Sequence, residues 1–341
     1  MTPDPIRLTP AGDWQAQLRA AVADPAELAA ALDLDPGLFG DSAGAAAAFA
    51  LRVPRPFLAR MRPGDPDDPL LRQVMAAGAE LQPAAGFNDD PVGEVAGANP
   101  RPGIVQKYGG RALLLVAGGC AVNCRYCFRR HFPYGDNALG RRERDEALAW
   151  LADQEDLEEL ILSGGDPLLA GDGYLAELVD ALARLPRLRT LRVHTRLPVV
   201  IPDRVTPGLL DALDQEGLRS VVVLHANHGN EIDAAVRAAC DRLRARGITL
   251  LNQAVLLAGV NDSADVLANL SDRLWDAGVL PYYLHLLDPV HGAAHFDVSE
   301  ECARALVGEL ATRRPGYLVP RLVREVPGAA SKRELAPAYP R

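Results

Sequence analysis

The chain has 341 residues, 48% of them hydrophobic, and a formal net charge of −9. That is enough apolar content for a sizeable core in at most two or three domains. The acidic balance argues against nucleic acid or a membrane surface as the main partner. No apolar run reaches bilayer-spanning length, and residues 1–20 carry Asp4 and Asp13 with no central apolar block, so neither an anchor nor a secretory leader is expected. A reducing, cytoplasmic setting follows as the expectation. Of 36 basic residues only Lys107 and Lys332 are lysines. Arginine cannot condense with an aldehyde and lysine can, so each lysine is either a candidate for chemistry or a chance survivor on the surface.

Residues 1–105 read as a helical and loop-rich lead-in. Helices are expected over 13–35, 45–50 and near 70–81. Pro54, Pro56, Pro63, Pro66 and Pro69 interrupt them, and the glycines and prolines of 82–103 predict loop. No catalytic constellation is legible there.

Residues 106–315 repeat one unit, an apolar strand followed by an amphipathic helix. Strands are expected near 112–117, 157–162, 190–194, 219–225, 248–256 and 281–286. Helices are expected near 143–153, 173–184, 206–216, 231–246, 263–277 and 299–313. Such alternation implies a parallel sheet with helices outside. Six units are too few for a closed eightfold barrel, so the expected α/β fold is a partial (β/α)6, TIM-like barrel. Ligands should then sit at the carboxyl ends of its strands.

The first strand exits into Gly118 and Gly119, then Cys120, Cys124 and Cys127, three of the five cysteines within eight residues. Arg125, Arg129 and Arg130 flank them, and cationic neighbours favour thiolates. Three thiolates on one loop suit an iron–sulfur cluster with one iron left open. A zinc site completed by His131, a disulfide, or inert buried thiols are the alternatives.

The later exits are polar as well. They are Ser163-Gly164-Gly165-Asp166, His194-Thr195-Arg196, His225-Ala226-Asn227-His228, and His285 through Asp288. Gly164 and Gly165 either let backbone approach a ligand or make a plain tight turn. Asn252 and Gln253 either face the interior or interrupt their strand. Asp288 ends a buried strand without an obvious partner, a costly place for a carboxylate unless a cation meets it. Residues 316–341 form a terminal segment in which a strand leads to Glu325, a small-residue turn and Lys332. The last ten residues could equally be a frayed tail.

The Cys-x3-Cys-x2-Cys motif, with Tyr126 before its third cysteine, resembles the radical S-adenosylmethionine (SAM) signature. The longer string from Cys124 to Phe132 is similar to the lysine 2,3-aminomutase family, over about residues 50–335. His285, His291, Ala293 to Phe296, and Glu325 followed by Ser331-Lys332 look most like its elongation factor P branch. The resemblance implies that Cys120, Cys124 and Cys127 hold a 4Fe–4S cluster whose open iron binds SAM. It implies a SAM and pyridoxal 5′-phosphate (PLP) pocket from Tyr126, Ser163, Gly164, Gly165, Asp166, His225 and Gln253. Lys332 would carry PLP as a Schiff base, and Lys107 would act as a charge. Arg129 would take the substrate carboxylate, and Asp288 with Glu325 its side-chain ammonium. The implied reaction turns L-lysine into (R)-β-lysine, which a ligase attaches to elongation factor P. The carboxyl-terminal extension of longer aminomutases is not expected after Lys332. The competing readings are an aminomutase for another amino acid, such as glutamate, and a zinc or iron–sulfur binding protein without turnover.

Overall fold

The computed structural model describes residues 12–95 and 97–340. The reading of residues 1–11 as carrying no leader lies outside them. Nine strands form one sheet in chain order: β1 (Ile104–Tyr108), β2 (Arg111–Ala117), β3 (Glu159–Gly164), β4 (Thr190–Thr195), β5 (Arg219–His225), β6 (Thr249–Val255), β7 (Leu280–His285), β8 (Arg321–Arg324) and β9 (Arg333–Glu334). From β2 to β8 every pair is parallel, and β1 and β9 are antiparallel edge strands. Helices Arg141–Ala152, Asp172–Ala183, Pro207–Leu213, Ala234–Arg244, Ala264–Asp276 and Glu300–Arg313 connect the parallel strands.

All six expected strand–helix units are present, and β8 adds a seventh parallel strand. The strands are readable because they are buried by helices on one face and by the barrel interior on the other. Leu160, Leu162, Leu191, Val193, Leu224 and Leu284 are all at or near zero exposure.

The sheet curls through its register. β6 begins opposite Val221, the third residue of β5. β7 begins opposite Leu251, the third residue of β6, and β8 opposite Tyr283, the fourth of β7. Accumulated stagger of this kind bends a sheet toward a barrel. No backbone pairing closes the ring among the described residues, yet the two edges meet through side chains. Tyr108 on β1 donates to Glu325, just past β8, at 2.5 Å.

Two lead-in expectations need correction. Residues 13–35 form two helices, Trp14–Arg19 and Pro25–Ala31. Between them Val22 pairs with Val53, and Asp24 caps the second helix through the Glu27 N–H. Residues 70–81 hold only a short helix, Pro69–Arg72, and a 3-10 turn, Gly78–Leu81, because the Glu80 carboxylate folds back onto the Ala77 N–H. The terminal segment is no frayed tail. β9 pairs with β8, the Leu335 N–H donates to Leu322, Leu335 is buried, and Ala338 donates to the Arg304 carbonyl. No helix among the described residues is long and apolar enough to cross a membrane.

The lead-in does more than cover the barrel. Arg125, fully buried between Cys124 and Cys127, grips Glu80 with two bonds of 2.8 and 2.6 Å. It also donates to the carbonyls of Phe49 and Ala45. Arg130 reaches the same carboxylate at 2.9 Å. Replacing Glu80 with alanine strands two buried guanidinium groups. The expected cost is about 3–5 kcal/mol, read as a lower midpoint in chemical denaturation.

Candidate active site

Side chains on alternate strand positions share a face. Ser163 (β3), Arg192 and His194 (β4), Val223 and His225 (β5), Leu251 and Gln253 (β6), and Tyr283 and His285 (β7) therefore line one surface. His225 lies opposite Gln253 in the register, and their ring and amide nitrogens are 2.8 Å apart. The His194 and His225 rings are 6.0 Å apart, those of Tyr283 and His285 5.6 Å. β6 runs on through Asn252 and Gln253. Asn252 turns the other way and bonds both backbone groups of Ala226, locking the β5 exit.

The three motif thiols are free and share one loop at the end of β2. Their electrostatics overturn one expectation. Burial, not the arginines, dominates: it pushes Cys127 up to about 11 and Cys120 well above the ordinary thiol range, and neighbouring thiols add to the rise. The cations offset this only in part, so a thiolate here depends on a bound metal. Arg196, at the β4 exit, donates to the Cys124 Sγ at 2.7 Å and to the Tyr126 hydroxyl at 2.7 Å. Asn227 and Gln73 complete the surroundings of Tyr126. His131 leans on Asp89 and the His291 carbonyl instead of the thiols. Among the described residues no three His, Cys, Asp or Glu side chains converge as a single metal ion would require.

The glycines of the β3 exit serve the thiol loop. A Cβ on Gly164 would come within 2.3 Å of the Ala117 carbonyl oxygen, and one on Gly165 within 2.0 Å of the Gly119 oxygen. What they approach is the backbone of the neighbouring exit, through bonds from Gly165 to Ala117 (2.7 Å) and Asp166 to Gly119 (2.8 Å). The Asp166 carboxylate is spent internally. It accepts from the Thr195 hydroxyl and from the N–H groups of Leu168, Arg196 and Leu197.

A chain of alternating charges crosses the mouth. Arg129, two residues past Cys127, holds Glu94 with bonds of 2.6 and 2.9 Å. Its remaining nitrogen reaches Ser163 at 3.0 Å and the Gly164 carbonyl at 3.3 Å. Glu94 meets Lys107 at 3.2 Å, and Lys107 meets Glu325 at 3.4 Å. Glu325 in turn pairs with Lys332. Burial works against ionisation of Glu325, yet Lys332, Tyr108 and Lys107 hold it down to about 2. The sequence reading missed Glu94 altogether. Its partners are 13 or more positions away, and no local pattern marks it.

Near Lys332 the interior is polar but unpaired. Burial, with the Arg192 charge next, drives His194 well below its usual value, and burial with the Lys332 charge takes His285 down to about 3. Burial takes His225 to about 3 as well. All three are neutral at physiological pH. The Nε2 atoms of His194 and His285 and the Nε of Arg192 are buried without a partner. Orphaned polar atoms beside the chain's one terminal lysine fit a polar group bound against it. The Asp288 carboxylate has no hydrogen-bond or ion-pair partner among the described residues, and burial raises it to about 7, with Lys332 opposing.

The family model described as the Radical SAM superfamily matches residues 114–270, which contain the three thiols and the exits of β3 to β6. The chain is thus built on a radical SAM core. An L-lysine 2,3-aminomutase of Escherichia coli is 52% identical over 95% of this chain and 94% of its own length. One from Haemophilus influenzae is 48% identical over 94% of each chain. One from Clostridium subterminale is 32% identical, over 96% of this chain and 78% of its own. The chain belongs to the L-lysine 2,3-aminomutase family. It is an isomerase that uses an iron–sulfur cluster and SAM.

Two outcomes test this geometry. Gly165→Ala must move the Gly119 backbone, at a cost of about 1–3 kcal/mol, with a lower thermal midpoint and less iron retained per chain. Asp288 is raised in the fold, so between its unfolded value near 4 and its folded value near 7 the unfolded chain loses the proton first. Stability falls as pH rises through that window. Asp288→Asn is therefore expected to match the parent near pH 4 and to melt at higher temperature at pH 8.

Proposed function

We propose that the protein is a PLP-dependent lysine 2,3-aminomutase that makes (R)-β-lysine from L-lysine. One observation carries this reading: Lys332, the tail amine, belongs to the same charge chain as Arg129 on the thiol loop. A radical source at the thiols and a substrate held near Lys332 would then face one barrel mouth.

When bound, the cluster and SAM supply a 5′-deoxyadenosyl radical, and PLP supplies an aldehyde that holds the substrate nitrogen and delocalises the unpaired electron. Cys120, Cys124 and Cys127 hold the cluster, with Arg196 donating to Cys124. The β3 exit from Ser163 to Asp166, Tyr126, His225 and Gln253 form the walls of the SAM and PLP pocket. Lys332 anchors PLP. The Glu325 carboxylate would hold its Nζ at the mouth. The neutral histidines offer hydrogen bonds without adding charge.

Arg129 takes the substrate carboxylate. Four of its five donors are already engaged, so the bond to Ser163 or Gly164 gives way as substrate enters. Asp288 would be the free carboxylate for the side-chain ammonium, with Glu325 as its neighbour. Two carboxylates at that end favour a cationic side chain and repel that of glutamate. The resemblances at His285, His291 and Glu325 further support a product destined for elongation factor P through its β-lysyl ligase, in the cytoplasm.

Anaerobic reconstitution with iron, sulfide, PLP, SAM and a reductant should convert lysine to β-lysine. Lys332→Ala should lose both PLP absorbance and product, and the survival of both would remove Lys332 from the mechanism. Coexpression with the ligase should add one β-lysyl residue to elongation factor P by mass spectrometry.

A further inference from the structure

Glu94 has no part in the reaction above, yet it stands between the two ends of the site. Its carboxylate is 4% exposed and grips Arg129 by both oxygens. The same carboxylate holds Lys107, which bonds Glu325 on its other side. Its backbone is held as firmly. Asp90 accepts from the N–H of Glu94 at 2.8 Å and of Val95 at 3.0 Å. Asn88, in the same segment, exchanges backbone bonds with Pro289 and His291 at 2.9 and 3.0 Å, on the loop that carries Asp288. Gly93 has a φ of +67°, and a Cβ there would lie 3.3 Å from Pro327, in the turn leading to Lys332. One short strap thus touches the thiol loop, the β7 exit and the terminal turn.

We propose that Glu94 is a positioning residue that sets the span between Arg129 and the Asp288–Glu325 pair, and so selects the substrate by chain length. This rests on the roles given above to Arg129, Asp288 and Glu325. The argument is one of geometry and charge. Both forks of Arg129 that face Glu94 are fixed, so the guanidinium cannot follow a shorter or longer substrate. Lys107 is shared between two carboxylates. Without Glu94 it collapses onto Glu325 alone and competes there with the substrate's ammonium. Removing one carboxylate also leaves Arg129, Lys107 and Lys332 facing only Glu325 and Asp288, a field that opposes a cationic ligand.

The test compares reconstituted parent and Glu94→Gln, which keeps volume and a carbonyl acceptor but removes charge. Substrates are lysine and ornithine, one methylene shorter. Equilibrium dialysis of labelled lysine accompanies the kinetics. In Glu94→Gln the lysine KM and dissociation constant should rise together by about tenfold, with kcat changed far less, and the preference for lysine over ornithine should fall about fivefold or more. Lys107→Gln, which breaks the bridge between Glu94 and Glu325 but leaves Glu94 on Arg129, should shift the preference the same way and serves if Glu94→Gln does not fold. An unchanged preference, or tighter lysine binding in Glu94→Gln, overturns the proposal. Should the parent bind lysine without rearranging it, the assigned reaction fails, and dialysis against ornithine still decides the role of Glu94.

Discussion

The constraint behind every feature of the mouth is the stagger of the parallel strands. Each of the last three parallel strands starts two or three residues up its neighbour. The sheet therefore comes round on itself, and the end of β8 arrives beside β1 instead of a full sheet-width away. Without that shift Glu325 would have no Tyr108 or Lys107 to meet, and Lys332 would hang at a distant edge. The backbone ring stays open, and charged side chains bridge the gap that hydrogen-bonded strands close in a complete barrel. An opening so bridged can admit an amino acid, because ion pairs can exchange partners whereas a strand ladder cannot.

Two buried ion-pair systems divide the work. One fixes the thiol loop from below, through Arg125, Arg130 and Glu80. The other spans the mouth from Arg129 to Lys332. Buried pairs are weak evidence for stability, since desolvation offsets much of the attraction. Their value here lies in orientation. Arg125 places its donors on Glu80, Phe49 and Ala45 with the loop folded as observed, which fixes the path of the thiol loop.

The core of the fold was legible because parallel strands covered on both faces leave unbroken apolar runs, as in Leu113 to Val116 and Val221 to Leu224. The edges were not. β9 has two residues, too few for any periodicity, and β1 carries Gln106 and Lys107 in an otherwise short apolar stretch. The strand exits could be located from position, and the Asp288 carboxylate stands without a partner among the described residues, as a carboxylate at a buried strand end suggested. The Asp166 carboxylate ties down the next exit, which no local pattern reveals. The thiols were expected to be acidified by arginine. Charge sign is visible in a sequence and depth of burial is not, and depth governs here. Glu94 and Glu80 were invisible for a related reason: their meaning comes from partners brought near only by the completed fold.

The placement of the two lysines has one more implication. Both side-chain amines of the chain lie in the mouth on Glu325, and the outer surface is coated with arginine. Reactive carbonyl compounds in the cell, such as sugar breakdown products, find no lysine elsewhere on this protein to glycate. Lys107 is clamped by two carboxylates, which leaves Lys332 as the one lysine side chain with a single carboxylate partner.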